Sequence, residues 1–84
     1  MEVKLTRKAQ KQLNRLDEPL VGRIVNGIEM LQCEPPEGDI KPLKGEQGIL
    51  RLRVGNYRIL FYERDNCRYV FKIAPRGGVY RGKK

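Results

Sequence analysis

Apolar and charged residues alternate from position 49 to 62 on either side of a Gly-Asn pair. The run reads Ile49-Leu50-Arg51-Leu52-Arg53-Val54, then Gly55-Asn56, then Tyr57-Arg58-Ile59-Leu60-Phe61-Tyr62. A period of two marks a strand with one buried face, and Gly at the first of two central positions marks a hairpin turn. A two-residue loop sets Val54 opposite Tyr57, Arg53 opposite Arg58, Leu52 opposite Ile59 and Leu50 opposite Phe61. One face then carries Leu50, Leu52, Val54, Tyr57, Ile59 and Phe61, enough for half a core. The other carries Arg51, Arg53 and Arg58. Like charges set directly opposite destabilise a ribbon, so this face points to an anion that shares it.

The remaining pattern supplies what packs on the apolar side. Residues 1–5 alternate with Val3 and Leu5 in phase, a short first strand. Thr6 has the chemistry of an N-cap for a helix over 7–16, where Ala9, Leu13 and Leu16 mark one side. Lys8, Lys11 and Arg15 read as that helix's solvated face. Asp17-Glu18-Pro19 closes it and opens a second, with Leu20, Val21, Ile24, Val25, Ile28 and Leu31 at helical spacing up to about residue 32. The short connection predicts an antiparallel helical hairpin. Gly22 and Gly27 each weaken the second helix by up to about 1 kcal/mol relative to Ala, and close packing against the first helix accounts for them.

Glu34-Pro35-Pro36-Glu37-Gly38-Asp39 is a polar connector in which the prolines exclude helix and central strand. Residues 40–48 follow as a loop, with Leu43 expected to anchor into the core. After a turn over 63–66, residues 69–74 form the last strand. With Phe71 and Ile73 on the core face, Val70, Lys72 and Ala74 fall on the arginine face. A three-residue loop would then set Lys72 across from Arg58, giving a row of Arg53, Arg58 and Lys72. Ile49, Leu60, Tyr62 and Val70 share that face, which suits a covering partner better than open solvent.

Composition narrows the reading. The chain's 84 residues fit one small domain, 1–84, with 39% hydrophobic and 33% charged residues, and no repeat or linker divides it. A formal charge of +8 favours a polyanion or an acidic partner. Cys33 and Cys67 lie far apart and the chain has no histidine, which argues against a zinc site and for ordinary thiols in a reducing compartment. No apolar run approaches the roughly 20 residues of a membrane span and no secretory h-region is present, so the expectation is a cytoplasmic protein without metal, cofactor or membrane.

The order strand, helix, helix, three strands resembles the RelE/ParE toxin superfamily. Three segments carry the resemblance: Pro42-Leu43-Lys44-Gly45, the run from Leu50 to Tyr62 with its Arg-x-Arg-x-Gly-x-Tyr-Arg pattern, and Lys72-Ile73-Ala74-Pro75-Arg76-Gly77-Gly78-Val79-Tyr80. The implied fold is α+β, a small antiparallel sheet (β-α-α-β-β-β) with a helical hairpin on one face and the active surface on the other. The implied role is the toxin of a type II toxin–antitoxin pair. RelE-like members cut messenger RNA in the ribosomal A site, whereas ParE-like members inhibit DNA gyrase without nuclease chemistry. A third alternative is a degenerate member that only binds its antitoxin and operator DNA.

Under the RelE-like reading the resemblance places four residues in catalysis. Arg58 clamps the scissile phosphate, since guanidinium binds phosphate bidentately. Arg51 falls where RelE proper has a catalytic lysine; it stays protonated, and so stabilises charge rather than acting as a base. Arg76 matches the family's late-strand arginine, and Tyr80 its C-terminal tyrosine, which stacks on a base or moves a proton. Arg53, Lys72, Lys44 and Arg81 complete the RNA-binding set. The implied partners are an acidic cognate antitoxin, the ribosome with messenger RNA, and operator DNA reached through the antitoxin.

Overall fold

The computed structural model describes residues 1–75. Its elements are β1 (Glu2–Leu5), α1 (Arg7–Asn14), α2 (Leu20–Met30), β2 (Asp39–Pro42), β3 (Leu50–Val54), β4 (Tyr57–Arg64) and β5 (Cys67–Pro75). The α+β plan expected from the sequence is present, with α1 packed on β5 and α2 on β3. The sheet runs β1-β5-β4-β3-β2. Two features extend the expected order. Residues 39–42, read as connector and loop, pair with β3 as an edge strand, where Pro42 costs no ladder bond. β1 joins the other edge parallel to β5.

The hairpin forms in the register its loop dictates, with Leu50 against Phe61, Leu52 against Ile59, Arg53 against Arg58 and Val54 against Tyr57. Gly55 takes φ +59°, the left-handed value that the first central position requires. Thr6 caps α1 by accepting from the Ala9 amide at 3.2 Å. α1 then covers the part of β5 that β1 leaves open: Thr6 donates to the Val70 carbonyl, and the Gln12 side chain accepts from the Ile73 amide at 2.7 Å. Ala9, Ile24, Ile28, Leu31, Leu52, Ile59, Phe61, Val70 and Ile73 form the buried core between helices and sheet.

The last strand departs from simple alternation. Asp65 and Asn66, both at positive φ, make a two-residue turn, so β5 begins at Cys67 opposite Arg64. A bulge lies between Leu60 and Phe61: Phe61 pairs with Val70 while Leu60 pairs with Lys72. Phe71 is the extra residue. The bulge puts Val70 in the core and Phe71 on the arginine face, reversing both expectations. It also sets Ala74, not Lys72, across from Arg58. Leu43 likewise turns to the arginine face instead of anchoring in the core.

Gly27 is explained by the sheet and not by α1. A Cβ there would meet Val54 Cγ2 at 2.9 Å and Leu52 Cδ2 at 3.4 Å, while one at Gly22 would meet the Glu18 carboxylate at 3.3 Å. Helix propensity alone makes Gly27→Ala stabilising by up to about 1 kcal/mol. Val54 is stiff at χ1, and overpacking of this kind costs about 1–3 kcal/mol. The expected result is a lower thermal midpoint for Gly27→Ala; a higher one would show that Val54 yields freely.

One buried cation organises the end of the molecule opposite the hairpin turn. Arg68 is 2% exposed. Its guanidinium donates to the Leu31 carbonyl at 2.7 Å, the Cys33 carbonyl at 2.9 Å and the Glu63 carboxylate at 2.8 Å. Glu34 accepts a fourth bond at 3.2 Å. The C-terminal end of α2, whose carbonyls lack helical partners, is thereby tied to β4 and β5.

Candidate functional site

The functional candidates lie on the sheet face that carries no helix. Alternation along β3 and β4 places Arg51, Arg53, Arg58, Leu60 and Tyr62 there. The β5 bulge adds Phe71 and Lys72 together, and the 43–49 turn folds over the same side, closed by Leu43 and Ile49 main-chain bonds at 2.9 and 3.3 Å. The result is a cleft of about 440 Å³ lined by Leu43, Glu46, Ile49, Arg58, Leu60, Phe71, Lys72, Ala74 and Pro75. Its floor is apolar. Arg58 and Lys72 are half-buried in its wall, with Arg58 Nε shielded from solvent. A cation with partly screened surroundings interacts with a bound anion more strongly than one in open water.

Arg51 and Arg53 are handled differently. Asp39, brought alongside by the unexpected edge strand, lies 3.5 Å from Arg51 and 3.6 Å from Arg53. The anion that the opposed arginines called for is thus supplied in part by the protein. Arg51 is held at 14% side-chain exposure and Arg53 at 43%. Neither lines the cleft, and both stand beside it on β3. Lys44 is exposed at the tip of the 43–49 turn. Arg76, Tyr80 and Arg81 lie outside the described residues.

The structure therefore places Arg58 and Lys72 in one cleft, leaves Arg51 and Arg53 outside it on β3 with Arg53 directly opposite Arg58, and adds residues that sequence reasoning missed. Glu46 is the carboxylate of the cleft, and its chemistry is that of a proton acceptor in a chain without histidine. Its position depends on how the turn folds back, for which a linear pattern has no signal. Asp39 could have been found only by recognising β2 as a strand.

Aromatic rings continue the face toward β1. Tyr62 stacks on Tyr69 with centroids 5.4 Å apart and contacts Phe71 at 5.7 Å. Beside Tyr69 the Cys67 sulfur, by its charge and its hydrogen bond, and then partial desolvation hold the phenol above its ordinary range; Lys4 acts weakly the other way. Cys33 and Cys67 are free thiols. Among the described residues no group of three or more His, Cys, Asp or Glu gathers to hold a metal ion, and no helix is long and apolar enough to cross a membrane.

On the helix side a second groove, about 470 Å³, runs between α2 and β3. Arg23, Gly27, Met30, Gly38, Arg53 and Val54 are among its walls.

A family model described as the ParE toxin of type II toxin-antitoxin system, parDE, matches residues 3–80. Curated protein sequences give no match. Among solved structures, the chain resembles a chain of the archaeal RelE-RelB complex from Pyrococcus horikoshii OT3. The identity is 27%, over 92% of this chain and 96% of that one, with a TM-score of 0.75. It resembles the RelB-RelE antitoxin-toxin complex from Methanococcus jannaschii at 25% identity, over 95% and 98% of the two chains, with a TM-score of 0.77. The chromosomal ParDE system from P. aeruginosa shares the fold at 22% identity, over 90% and 96%, with a TM-score of 0.75.

Proposed function

The chain belongs to the ParE toxin family of type II toxin–antitoxin systems, and from the cationic cleft on its helix-free sheet face we propose that it is a ribosome-dependent messenger-RNA endonuclease. The observation that carries this reading is the cleft in which Arg58 and Lys72 face Glu46 on the helix-free side of the sheet. RNA cleavage by internal transfer requires a base for the 2′-hydroxyl, charge stabilisation at phosphorus and a proton for the departing 5′-oxygen. Glu46 takes the 2′-hydroxyl proton as that oxygen attacks phosphorus. Arg58 holds the non-bridging oxygens bidentately while their charge builds, and Lys72 supplies a second positive charge. Arg51 and Arg53, steadied by Asp39, receive the neighbouring phosphate. Arg76 keeps the charge-stabilising role implied by its sequence match, and of the two roles the match leaves to Tyr80, base stacking or proton transfer, the second would protonate the leaving 5′-oxygen. Lys44 and Arg81 contact the flanking backbone.

The deciding experiment is primer extension on messenger RNA after brief induction in growing cells. Cuts within translated frames that vanish when initiation is blocked support the assignment. Intact messenger RNA with cleaved or supercoiling-deficient DNA would replace it with gyrase inhibition, the reading favoured by the ParE description of the matching family and the missing histidine. Under the nuclease reading Glu46→Gln is expected to slow cleavage by about 10²- to 10⁴-fold, the usual contribution of a positioned general base. Unchanged single-turnover cleavage on programmed ribosomes would remove Glu46 from the mechanism.

The partner under either reading is an acidic antitoxin, as the relatives crystallised with antitoxins and the net charge of +8 both suggest. The groove between α2 and β3 suits an acidic amphipathic segment, with Met30 for its apolar side and Arg23 for its carboxylates. Failure of an acidic, neighbour-encoded protein to co-purify would count against this assignment.

A further inference from the structure

The aromatic strip beside the cleft has no part in the chemistry just described. Tyr62 and Tyr69 are paired across β4 and β5, and Lys4 of β1 pairs with Tyr69, so one row crosses three strands as Lys4, Tyr69, Tyr62. The rings of Tyr62 and Tyr69 are nearly parallel, 27° apart, and Phe71 lies against Tyr62 at 39°. All three rings are half-buried, and both helices pack on the other side of the sheet. Phe71 also lines the cleft, which makes the strip continuous with the site of Arg58 and Lys72. The bulge is what brings Phe71 here; without it the ring would lie in the core.

We propose that Tyr62, Tyr69 and Phe71 form a stacking platform for the unpaired bases of the RNA strand whose phosphate sits in the cleft. Ring faces accept any base, while flanking cations follow the phosphates, the combination by which sheet surfaces bind single strands. Lys4 and Arg64 provide cations on the far side of the rings and Lys72 on the near side. The inference rests on the nuclease reading for the identity of the strand, but its test involves no cleavage.

The probe is a single-stranded RNA hexamer with 2′-O-methyl riboses, which cannot be cut, compared with an abasic hexamer bearing the same phosphates. The purified protein is expected to bind the base-bearing hexamer about 5- to 100-fold more tightly, as base–aromatic stacking gives. Tyr62→Ala and Tyr69→Ala should each reduce that preference, while Tyr→Phe at either position should keep it, because stacking uses the ring and not the hydroxyl. The chain has no tryptophan, so Tyr69→Trp introduces a lone reporter whose emission should be quenched by the hexamer and not by its abasic counterpart. This variant keeps an aromatic ring and serves where an alanine variant fails to fold. Equal binding of the two hexamers, or an unquenched Trp, overturns the platform. A Trp that responds only to the antitoxin does so as well, making the strip a protein interface. Cleavage-negative protein that still discriminates the hexamers would leave the platform standing and overturn the nuclease reading alone.

Discussion

Arg68→Leu is expected to destabilise the protein by about 3 kcal/mol, the lower end of what removal of one partner from a buried ionic cluster costs. Glu34 and Glu63 are half-exposed, so water can replace the guanidinium on both carboxylates and their share of the loss is small. The larger cost falls on the Leu31 and Cys33 carbonyls, which lose their donor where α2 ends. A domain of this size has about 5–10 kcal/mol in total, so a large part of its stability depends on one side chain. Urea denaturation at two salt concentrations checks the claim. A loss under 1 kcal/mol would mean that Arg68 is an ordinary surface ion pair in solution. Arg68→Lys should recover only part of the loss, because an ammonium cannot span four acceptors in one plane.

Arg58→Ala is expected to cut messenger-RNA cleavage by about 10²- to 10³-fold, the scale observed when one preorganised stabiliser of developing charge is deleted. Arg58→Lys should retain an intermediate rate, since a point charge still attracts phosphate but cannot fork across two of its oxygens. The unfolding midpoint should barely move for either variant, because the core lies on the opposite face of the sheet. Cleavage of a defined transcript on programmed ribosomes, read alongside thermal unfolding, separates the two effects. Full activity in Arg58→Ala would move the phosphate site elsewhere.

Legibility in the sequence followed the range of the interactions. The β3–β4 hairpin could be read in full because a two-residue loop determines both register and facing, and every contact is local. The helices were readable for the same reason, from Thr6 at one cap and a 3.6-residue apolar spacing. The bulge was not, because a period of two carries no mark for one extra residue; Val70 and Phe71 exchanged faces and Lys72 moved away from Arg58. β2 was hidden by its length and by the prolines around it, and with it went Asp39, which alters the electrostatics of Arg51 and Arg53. Arg68 was the least legible of all. In sequence it is one more cation in a basic chain, and only the folding of the 31–34 segment against β5 shows it to be interior. The cleft was half visible: its cations share a face by alternation, but Glu46 reaches them through a turn.

The sheet order has a consequence for how the chain comes into being. β1 is made early yet has only β5 as its neighbour, and α1 lies on that same strand. Until Cys67–Pro75 has left the ribosome, the N-terminal strand has no ladder and α2 lacks the arginine that ties its end. Pairings so distant along the chain form late, and ribosome-bound chains truncated before Cys67 should be degraded readily by protease. For a protein we propose to act on ribosomes, the ribosome that makes it handles a harmless chain until the last strand of the sheet emerges.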